Sequence, residues 1–202
     1  MLRTTARPNG PIARTLYPVL LASLLALLAL AALPGAALAD DDEDEEEQDF
    51  SREGPYLGLS GMFAVDLSTD NLDVSETGGV EARVGFRLAP ALALELTGDW
   101  LSLGGRNPWS IGIATRLYVA PLLDTQWMDD RLQPFAFGTW GVLSGDLGKG
   151  KEPSGHLKLG LGTDYWLTND VALQLAAGYT LNAGDAARWR SLELSLGVNW
   201  RY

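Results

Sequence analysis

The last twelve residues of the chain, S-L-E-L-S-L-G-V-N-W-R-Y, alternate without a break between two kinds of side chain. Every second residue from Leu192 to Tyr202 is apolar or aromatic, and the residues between them are small or polar. Successive side chains of a β-strand point to opposite faces, so the segment predicts a strand with one apolar and one polar face. Ten residue steps of about 3.3 Å, tilted by about 40°, rise roughly 25 Å, the height of an outer-membrane apolar band. The apolar face therefore belongs either to the core of a soluble sandwich or to the outside of a membrane barrel.

Seven earlier segments share this two-residue period, and from Gly54 onward no segment of useful length has the helical period. The predicted strands lie at 56–67, 79–88, 92–101, 109–119, 133–143, 156–167, 171–181 and 191–202. The connections tend to alternate between tight turns, such as 89–91, and longer segments rich in Gly, Asp and Asn, such as 144–155. That alternation is typical of a barrel with both chain ends in the periplasm. Two connections depart from this alternation: 102–108 is shorter than the loop expected there, and 120–132 is longer than the tight turn expected there.

The charged residues of these strands all fall on the face opposite the apolar residues, and the apolar face carries none. Ten of them form the predicted interior set, five acidic and five basic: Glu81, Arg83, Arg87, Glu95, Asp99, Arg116, Lys158, Asp164, Glu193 and Arg201. The interior of an eight-stranded barrel is just wide enough to be filled by side chains, and buried charges must pair, so the balanced set predicts an interior charge network that plugs the lumen. The apolar face then meets lipid, where an Arg or Lys at mid-depth costs roughly 2–4 kcal/mol. The alternative is an open pore lined by the same charges.

Aromatic residues on the apolar face concentrate near the strand ends and predict two interfacial girdles. The girdle at the loop end comprises Trp100, Trp109 and Tyr179, and that at the turn end comprises Phe86, Phe135, Tyr165, Trp200 and Tyr202. In the fifth strand, where the alternation is weakest, Phe135 and Phe137 are assigned to the apolar face and Trp140 to the interior. The spacing Gly160-x-Gly162 is not followed by a helix, so a phosphate loop is disfavoured, and we expect these glycines to make room for a bulky interior side chain such as Trp166 or Trp140.

The first 53 residues have a different character. Residues 1–39 read as a signal peptide, with three arginines, an apolar stretch at 16–33, and a small-x-small cleavage pattern at Ala37-Leu38-Ala39 before Asp40. The alternative is an uncleaved membrane anchor. Residues 40–49 contain nine acids and one Gln, a run that repels itself, so 40–53 is predicted to be an acidic disordered linker ahead of the barrel at 54–202. Loose cation capture by the run is the weaker interpretation, because it lacks the glycine turn of a calcium loop.

The amino-acid composition argues against several kinds of binding site. The chain has no cysteine and a single histidine, which excludes disulfides, thiolate metal sites, lipidation on Cys and a multi-histidine metal site within one chain. The formal net charge of −11 disfavours nucleic acid, because binding phosphates needs a basic surface. We therefore predict no cofactor, no metal and no nucleic-acid partner.

The closing strand resembles the C-terminal targeting strand of bacterial outer-membrane β-barrel proteins, with Trp200 and Tyr202 in place of the aromatic assembly signal. Over residues 54–202 the chain resembles the small eight-stranded outer-membrane barrels, the OmpA/OmpX-like porin-type family, and segments 133–138 and 160–167 look like that family's fifth and sixth strands. The resemblance implies an all-β, eight-stranded antiparallel up-and-down transmembrane barrel in the bacterial outer membrane. It also implies contact with outer-membrane lipid and lipopolysaccharide, delivery to the barrel-assembly machinery through the closing strand, and a monomer.

The candidate for catalysis is His156, near Ser144, Asp146 and Ser154 in the sequence. Some small outer-membrane barrels are lipid A acyl hydrolases or acyltransferases, and the deacylase type carries His-x-Ser on a strand. Here Lys158 stands where that serine is needed, so a rim histidine is the better interpretation and no catalytic residue is predicted. The sequence favours a structural or surface-interaction role with a charge-plugged lumen. The alternatives are a narrow porin-like channel for small solutes and a lipid A-modifying enzyme.

Overall fold

The computed structural model describes residues 49–67, 76–102, 107–125, 127–128, 130–145, 153–183 and 190–202. They form a closed barrel in which eight antiparallel strands follow one another in chain order. The elements are β1 (Gly54–Asp66), β2 (Glu76–Ala89), β3 (Leu92–Ser102), β4 (Trp109–Tyr118), α1 (Val119–Leu122), β5 (Leu132–Ser144), β6 (Ser154–Trp166), β7 (Val171–Asn182) and β8 (Arg190–Arg201). The barrel closes where β1 pairs with β8, from Tyr56 opposite Arg201 to Asp66 opposite Ser191. The predicted eight-stranded antiparallel barrel is confirmed.

The barrel has two unlike ends. The end at which β1 begins and β8 finishes, here called the terminal end, also holds the β2–β3, β4–β5 and β6–β7 connections. The opposite end, here called the loop end, holds the other connections. In the part of the chain that the structure describes, no helix has the length and apolar character needed to cross a membrane. The strands position every side chain discussed below, because alternate residues point into or out of the closed sheet.

The outer surface of the barrel is apolar and the interior is charged. Large aliphatic side chains stand exposed all round the outside, such as Ile113 at 65% and Leu161 at 68% exposure. All ten charged residues singled out from the sequence are buried in the interior. Among the strand side chains that the structure describes, the outward face carries one charge, Arg190, at the loop-end tip of β8. This distribution is the reverse of that in a water-soluble barrel.

The face assignment predicted for the fifth strand is wrong. Phe135 and Phe137 point into the barrel, whereas Trp140 points outward with 79% of its surface exposed. Phe135 therefore does not belong to the turn-end girdle. The assignment failed because it rested on hydrophobicity alone, and an aromatic ring can also fill a packed lumen when the neighbouring strand leaves space for it.

Glycines on the neighbouring strands provide that space. A Cβ on Gly162 would lie 2.5 Å from Cζ of Phe135, and a Cβ on Gly160 would lie 2.5 Å from ring atoms of Phe137. In the same way, a Cβ on Gly85 would lie 2.3 Å from Cζ of Tyr56. The glycine spacing of β6 thus does make room for bulky interior groups, but these are the two phenylalanines of β5 and not Trp166 or Trp140.

Candidate functional site in the barrel interior

One lysine binds three carboxylates from three different strands near the loop end. Lys158 Nζ on β6 lies 2.9 Å from Glu193 Oε2, 3.1 Å from Asp99 Oδ2 and 3.2 Å from Glu81 Oε2. An ammonium group has three N–H donors, so one carboxylate can be assigned to each. Because the carboxylates come from β8, β3 and β2, their contacts with Lys158 cross the lumen and tie opposite walls together.

Hydroxyl groups and a second cation satisfy these carboxylates further. Thr180 and Ser191 donate from their hydroxyls to Glu193 Oε1 at 2.6 and 2.8 Å. Ser110 Oγ donates to Asp99 Oδ2 at 3.0 Å, and Arg83 forms an ion pair with Glu81. Charges taken out of water are stable only where pairing and additional hydrogen bonds replace their hydration. This loop-end cluster therefore meets the physical requirement for burying three acids together.

A second cluster lies nearer the terminal end and centres on Arg116 of β4. Its Nη2 lies 2.7 Å from Glu95 Oε1 and its Nη1 lies 3.0 Å from Asp164 Oδ2. Tyr118 donates its hydroxyl to Asp164 Oδ2 at 3.0 Å, and Tyr56 donates its hydroxyl to Glu95 Oε1 at 2.5 Å. The Arg116 guanidinium also lies 4.0 Å above the ring of Phe135, which is a favourable cation–π geometry. This is the ring that packs inward over Gly162.

Asn199 on β8 joins the two clusters. Its Oδ1 accepts from Arg83 Nη2 at 3.1 Å, and its Nδ2 donates to Asp164 Oδ1 at 2.8 Å and to Gln174 Oε1 at 3.1 Å. Gln174 Oε1 in turn accepts from Arg116 at 3.3 Å. A single network thus contains eight of the ten predicted residues: Glu81, Arg83, Glu95, Asp99, Arg116, Lys158, Asp164 and Glu193.

Sequence reasoning did not identify the neutral members of this network, which include Tyr56, Ser60, Ser110, Tyr118, Gln174, Thr180, Ser191 and Asn199. All of them are buried on the inward face of their strands. The signal that could have found them is the same two-residue period that placed the charges, because it applies to every polar residue of a strand.

The two remaining predicted residues, Arg87 and Arg201, lie closer to the terminal end than the ion pairs of this network. Within the described residues, neither guanidinium meets a carboxylate at ion-pair distance. Arg87 donates to the carbonyl of Phe50 at 3.1 Å and to Gln133 Oε1 at 2.8 Å, and Arg201 donates to the same Phe50 carbonyl at 2.9 Å. The guanidinium of Arg87 lies 3.9 Å above the ring of Tyr118, and that of Arg201 lies 4.0 Å above Trp166. Five acids and three bases thus occupy the network, and two bases occupy the terminal mouth.

Phe50 fills this mouth. It is 2% exposed and its ring stacks on Trp166, with the ring centroids 6.3 Å apart and the planes 24° apart. Nearby, Arg52 Nη2 lies 3.3 Å from Asp170 Oδ1 in the β6–β7 turn. Phe50 belongs to the predicted linker at 40–53, and the structure packs it inside the barrel, because Trp166 and the two arginines offer it a closed apolar and hydrogen-bonding site. The signal peptide and residues 40–48 of the acidic run lie outside the described residues.

The side chains leave little free space along the axis. A cavity lined by residues of both clusters, including Glu81, Arg116 and Lys158, has a volume of about 20 Å³, and a second one beside Arg87 and Arg201 has about 10 Å³. Such volumes hold roughly one or two water molecules. The described interior is therefore packed and ion-paired instead of open.

His156 lies on the inward face of β6 near the loop end and is buried. Its Nε2 has no hydrogen-bond partner among the described residues. Asp146, one of its candidate partners, lies outside the described residues. The described part of the chain also contains no group of three or more His, Cys, Asp or Glu residues arranged to hold a metal ion.

Comparison with solved structures identifies the fold. The crystal structure of Neisserial surface protein A matches with a TM-score of 0.56 and 21% identity, over 74% of this chain and 97% of that one. The N-terminal β-barrel domain of Pseudomonas aeruginosa OprF matches with a TM-score of 0.53 and 10% identity, over 75% of this chain and 100% of that one. No protein-family model and no curated protein matches the chain. The chain has the fold of the small eight-stranded outer-membrane β-barrels, as the resemblance of its sequence predicted.

Proposed function

We propose that this chain is an integral protein of the bacterial outer membrane whose barrel is a sealed scaffold for its loop end. In this proposal the barrel neither conducts solutes nor catalyses a reaction. It anchors the connections between strands at the cell surface, where they interact with outer-membrane lipopolysaccharide or with partners outside the cell. Export by a cleaved signal peptide, assembly through the closing strand and a monomeric state belong to the same proposal.

The observation that carries the proposal is the contact of Lys158 with Glu81, Asp99 and Glu193. A solute that passed along the axis would have to separate charges that are buried on every side. Removing one partner of a buried pair typically costs about 3–5 kcal/mol. The two cavities beside these charges, of about 20 and 10 Å³, are each too small for more than one or two water molecules. The lumen therefore favours a scaffold over a channel.

The outer surface supports insertion into a membrane. Apart from Arg190 at the loop-end tip of β8, its large exposed side chains are aliphatic or aromatic round the whole barrel. Trp100 and Trp109 form a cross-strand pair toward the loop end. At the terminal end Trp200 and Tyr202 are exposed. Tryptophan and tyrosine prefer the boundary between lipid and water, so aromatic residues at both ends fit an apolar band that spans the membrane. The same surface in water would be an aggregation site far larger than soluble proteins tolerate.

The test is to measure the purified, folded protein in two assays. In a planar lipid bilayer we expect no steady conductance, while an open porin measured beside it conducts. With lipid A as substrate we expect no release of fatty acid. Steady conductance of the folded wild type would overturn the scaffold proposal in favour of a narrow channel. Acyl release that is lost in His156→Ala would overturn it in favour of a lipid-modifying enzyme.

A further inference from the structure

The connection between β4 and β5 is much longer than its neighbours at the terminal end. It runs over thirteen residues, 119–131, whereas the β2–β3 and β6–β7 connections have two and four. Four of its large apolar side chains stand in solvent: Leu122 and Leu123 at 61% exposure each, Met128 at 63% and Trp127 at 39%. A turn that only reversed the chain would need neither this length nor these residues.

The described part of this connection is folded. After α1, the backbone N–H groups of Leu123 and Thr125 donate to the carbonyls of Val119 and Ala120, both at 3.1 Å, and Leu132 N–H donates to the carbonyl of Trp127 at 3.2 Å. Ala120 is buried, and Trp166 N–H of β6 donates to the carbonyl of Arg131 at 2.9 Å. These bonds fix the segment to the barrel rim, so its apolar side chains are held in an exposed position.

Three residues of the segment have left-handed backbone conformations that side chains with a Cβ rarely adopt. They are Asp124 with φ of 49°, Met128 with φ of 52° and Asp130 with φ of 62°. The first two follow exposed apolar residues, Leu123 and Trp127 respectively. The backbone therefore turns through a rarely populated conformation directly after each of these two exposed apolar residues.

We propose that the described residues of this segment, 119–125, 127–128 and 130–131, lie in the boundary between headgroups and acyl chains of the phospholipid leaflet on the terminal side of the membrane. The inference rests on the proposed function, because it needs an inserted barrel. The segment continues directly from the outward, lipid-facing row of β4, whose last member Leu117 is also exposed. An exposed tryptophan beside exposed leucine and methionine side chains is typical of the boundary between lipid and water.

A lipid surface fits this patch better than a protein partner. Four side chains expose a few hundred Å², within the size of the largest patch on an ordinary monomer and below the roughly 800 Å² per partner of a stable protein interface. The described acids Asp124 and Asp130 outnumber the one base, Arg131, so the headgroups that fit are zwitterionic and not anionic. The segment would then anchor one side of the barrel at the lipid–water boundary and so fix how deeply that side lies in the membrane.

The test uses the absence of native cysteine. Leu122→Cys and Met128→Cys are labelled separately with an environment-sensitive dye and reconstituted into phosphatidylcholine vesicles whose acyl chains carry bromine near the headgroup. Thr168→Cys, in the tight β6–β7 turn at the same end, is the control in water, and Ile113→Cys is the control in the lipid-facing belt. Heat-modifiable migration on gels checks that every variant is folded.

We expect the dyes at 122 and 128 to emit at shorter wavelength than the dye at 168 and to lose at least half of their intensity to bromine, with little loss to iodide in the water. Iodide quenching equal to that at 168 would place the segment in water and overturn the inference. Protection from both quenchers would mean cover by protein and would overturn it as well. If iodide quenches the dye at 113 as strongly as the dye at 168, the barrel is not inserted and the proposed function itself fails.

Discussion

The ring of Phe50 stacks on the ring of Trp166 with centroids 6.3 Å apart, and this contact joins a residue ahead of the first strand to the last residue of β6. The carbonyl of Phe50 accepts hydrogen bonds from both Arg87 and Arg201. Two buried guanidinium groups that meet no carboxylate in the described structure are thereby held by the chain's own N-terminal segment. The terminal end of the lumen is closed by this segment, and the middle of the lumen by the ion-pair network.

Replacing Phe50 by alanine should destabilise the folded barrel. Loss of a buried Phe side chain typically costs about 3–5 kcal/mol, and we expect the low end of that range because the site lies at a mouth that can relax. The measurement is the denaturant midpoint of the protein folded in detergent. Ser51→Ala is the matched control, because Ser51 hydrogen-bonds only to its neighbour Asp49 in the described contacts. Equal midpoints for the two variants would mean that Phe50 does not close the mouth.

Adding a methyl group to Gly85 should also destabilise the barrel. The new Cβ would lie 2.3 Å from Cζ of Tyr56, so the ring must move and its 2.5 Å hydrogen bond to Glu95 must lengthen. Overpacking of this kind costs about 1–3 kcal/mol. The matched control is Gly98→Ala, because the nearest atom to its new Cβ is 3.9 Å away, and it should leave the denaturant midpoint equal or higher. A Gly85→Ala midpoint that follows the Gly98→Ala midpoint would contradict the packing of Tyr56 on glycine.

The two-residue period predicted the strands well because the two faces of this sheet meet opposite environments. Aliphatic side chains outside and charges inside give a strong contrast in β2, β4 and β8, and each of these strands has the predicted faces. In β5 the contrast disappears, because Phe135 and Phe137 fill the lumen over Gly162 and Gly160. Sequence alternation identifies a face only where the interior is polar.

Two other features could not be predicted from local sequence. The period shows that Arg87 and Arg201 point inward, but it does not show that they lie at the mouth beyond the reach of the five acids. The site of Phe50 is built from Trp166, Arg87 and Arg201, which lie on three strands far apart in the chain. Only closure of the barrel brings them together, so no segment of the sequence contains the pattern.

Arg116→Ala should lower the stability of the barrel by about 3–5 kcal/mol, because it leaves Glu95 and Asp164 buried without their cation. Replacing Arg116 by Met together with Glu95→Gln should recover part of that loss, since one of the two unpaired charges is then gone. The lipid-facing Ile113→Leu is the control for a volume-conserving change. The readout is the denaturant midpoint, with wild type, Arg116→Met, Glu95→Gln and their double variant forming a double-mutant cycle. Bilayer conductance is measured on the same samples. If Arg116→Ala and Ile113→Leu have the same midpoint, the interior is hydrated and the narrow channel gains support.

The last prediction separates the stability of the closing strand from its role in assembly. Tyr202 is 70% exposed, and the hydrogen bond from its N–H to the carbonyl of Pro55 is long, at 3.4 Å. Deleting Tyr202 therefore removes little that holds the barrel together, and we expect the purified variant to refold in detergent with a midpoint within about 0.5 kcal/mol of wild type, the usual range for surface changes. In cells we expect the same variant to accumulate in the periplasm, because the aromatic ending that the assembly machinery would bind is lost. Trp200→Asp should neither refold in detergent nor reach the outer membrane in folded form, since it places a charge on the lipid face. Trp200→Phe should do both. The measurement is heat-modifiable migration on gels, applied to refolded protein and to isolated outer membranes. Normal amounts of folded Tyr202-deleted protein in the outer membrane would show that the assembly signal lies elsewhere in the strand.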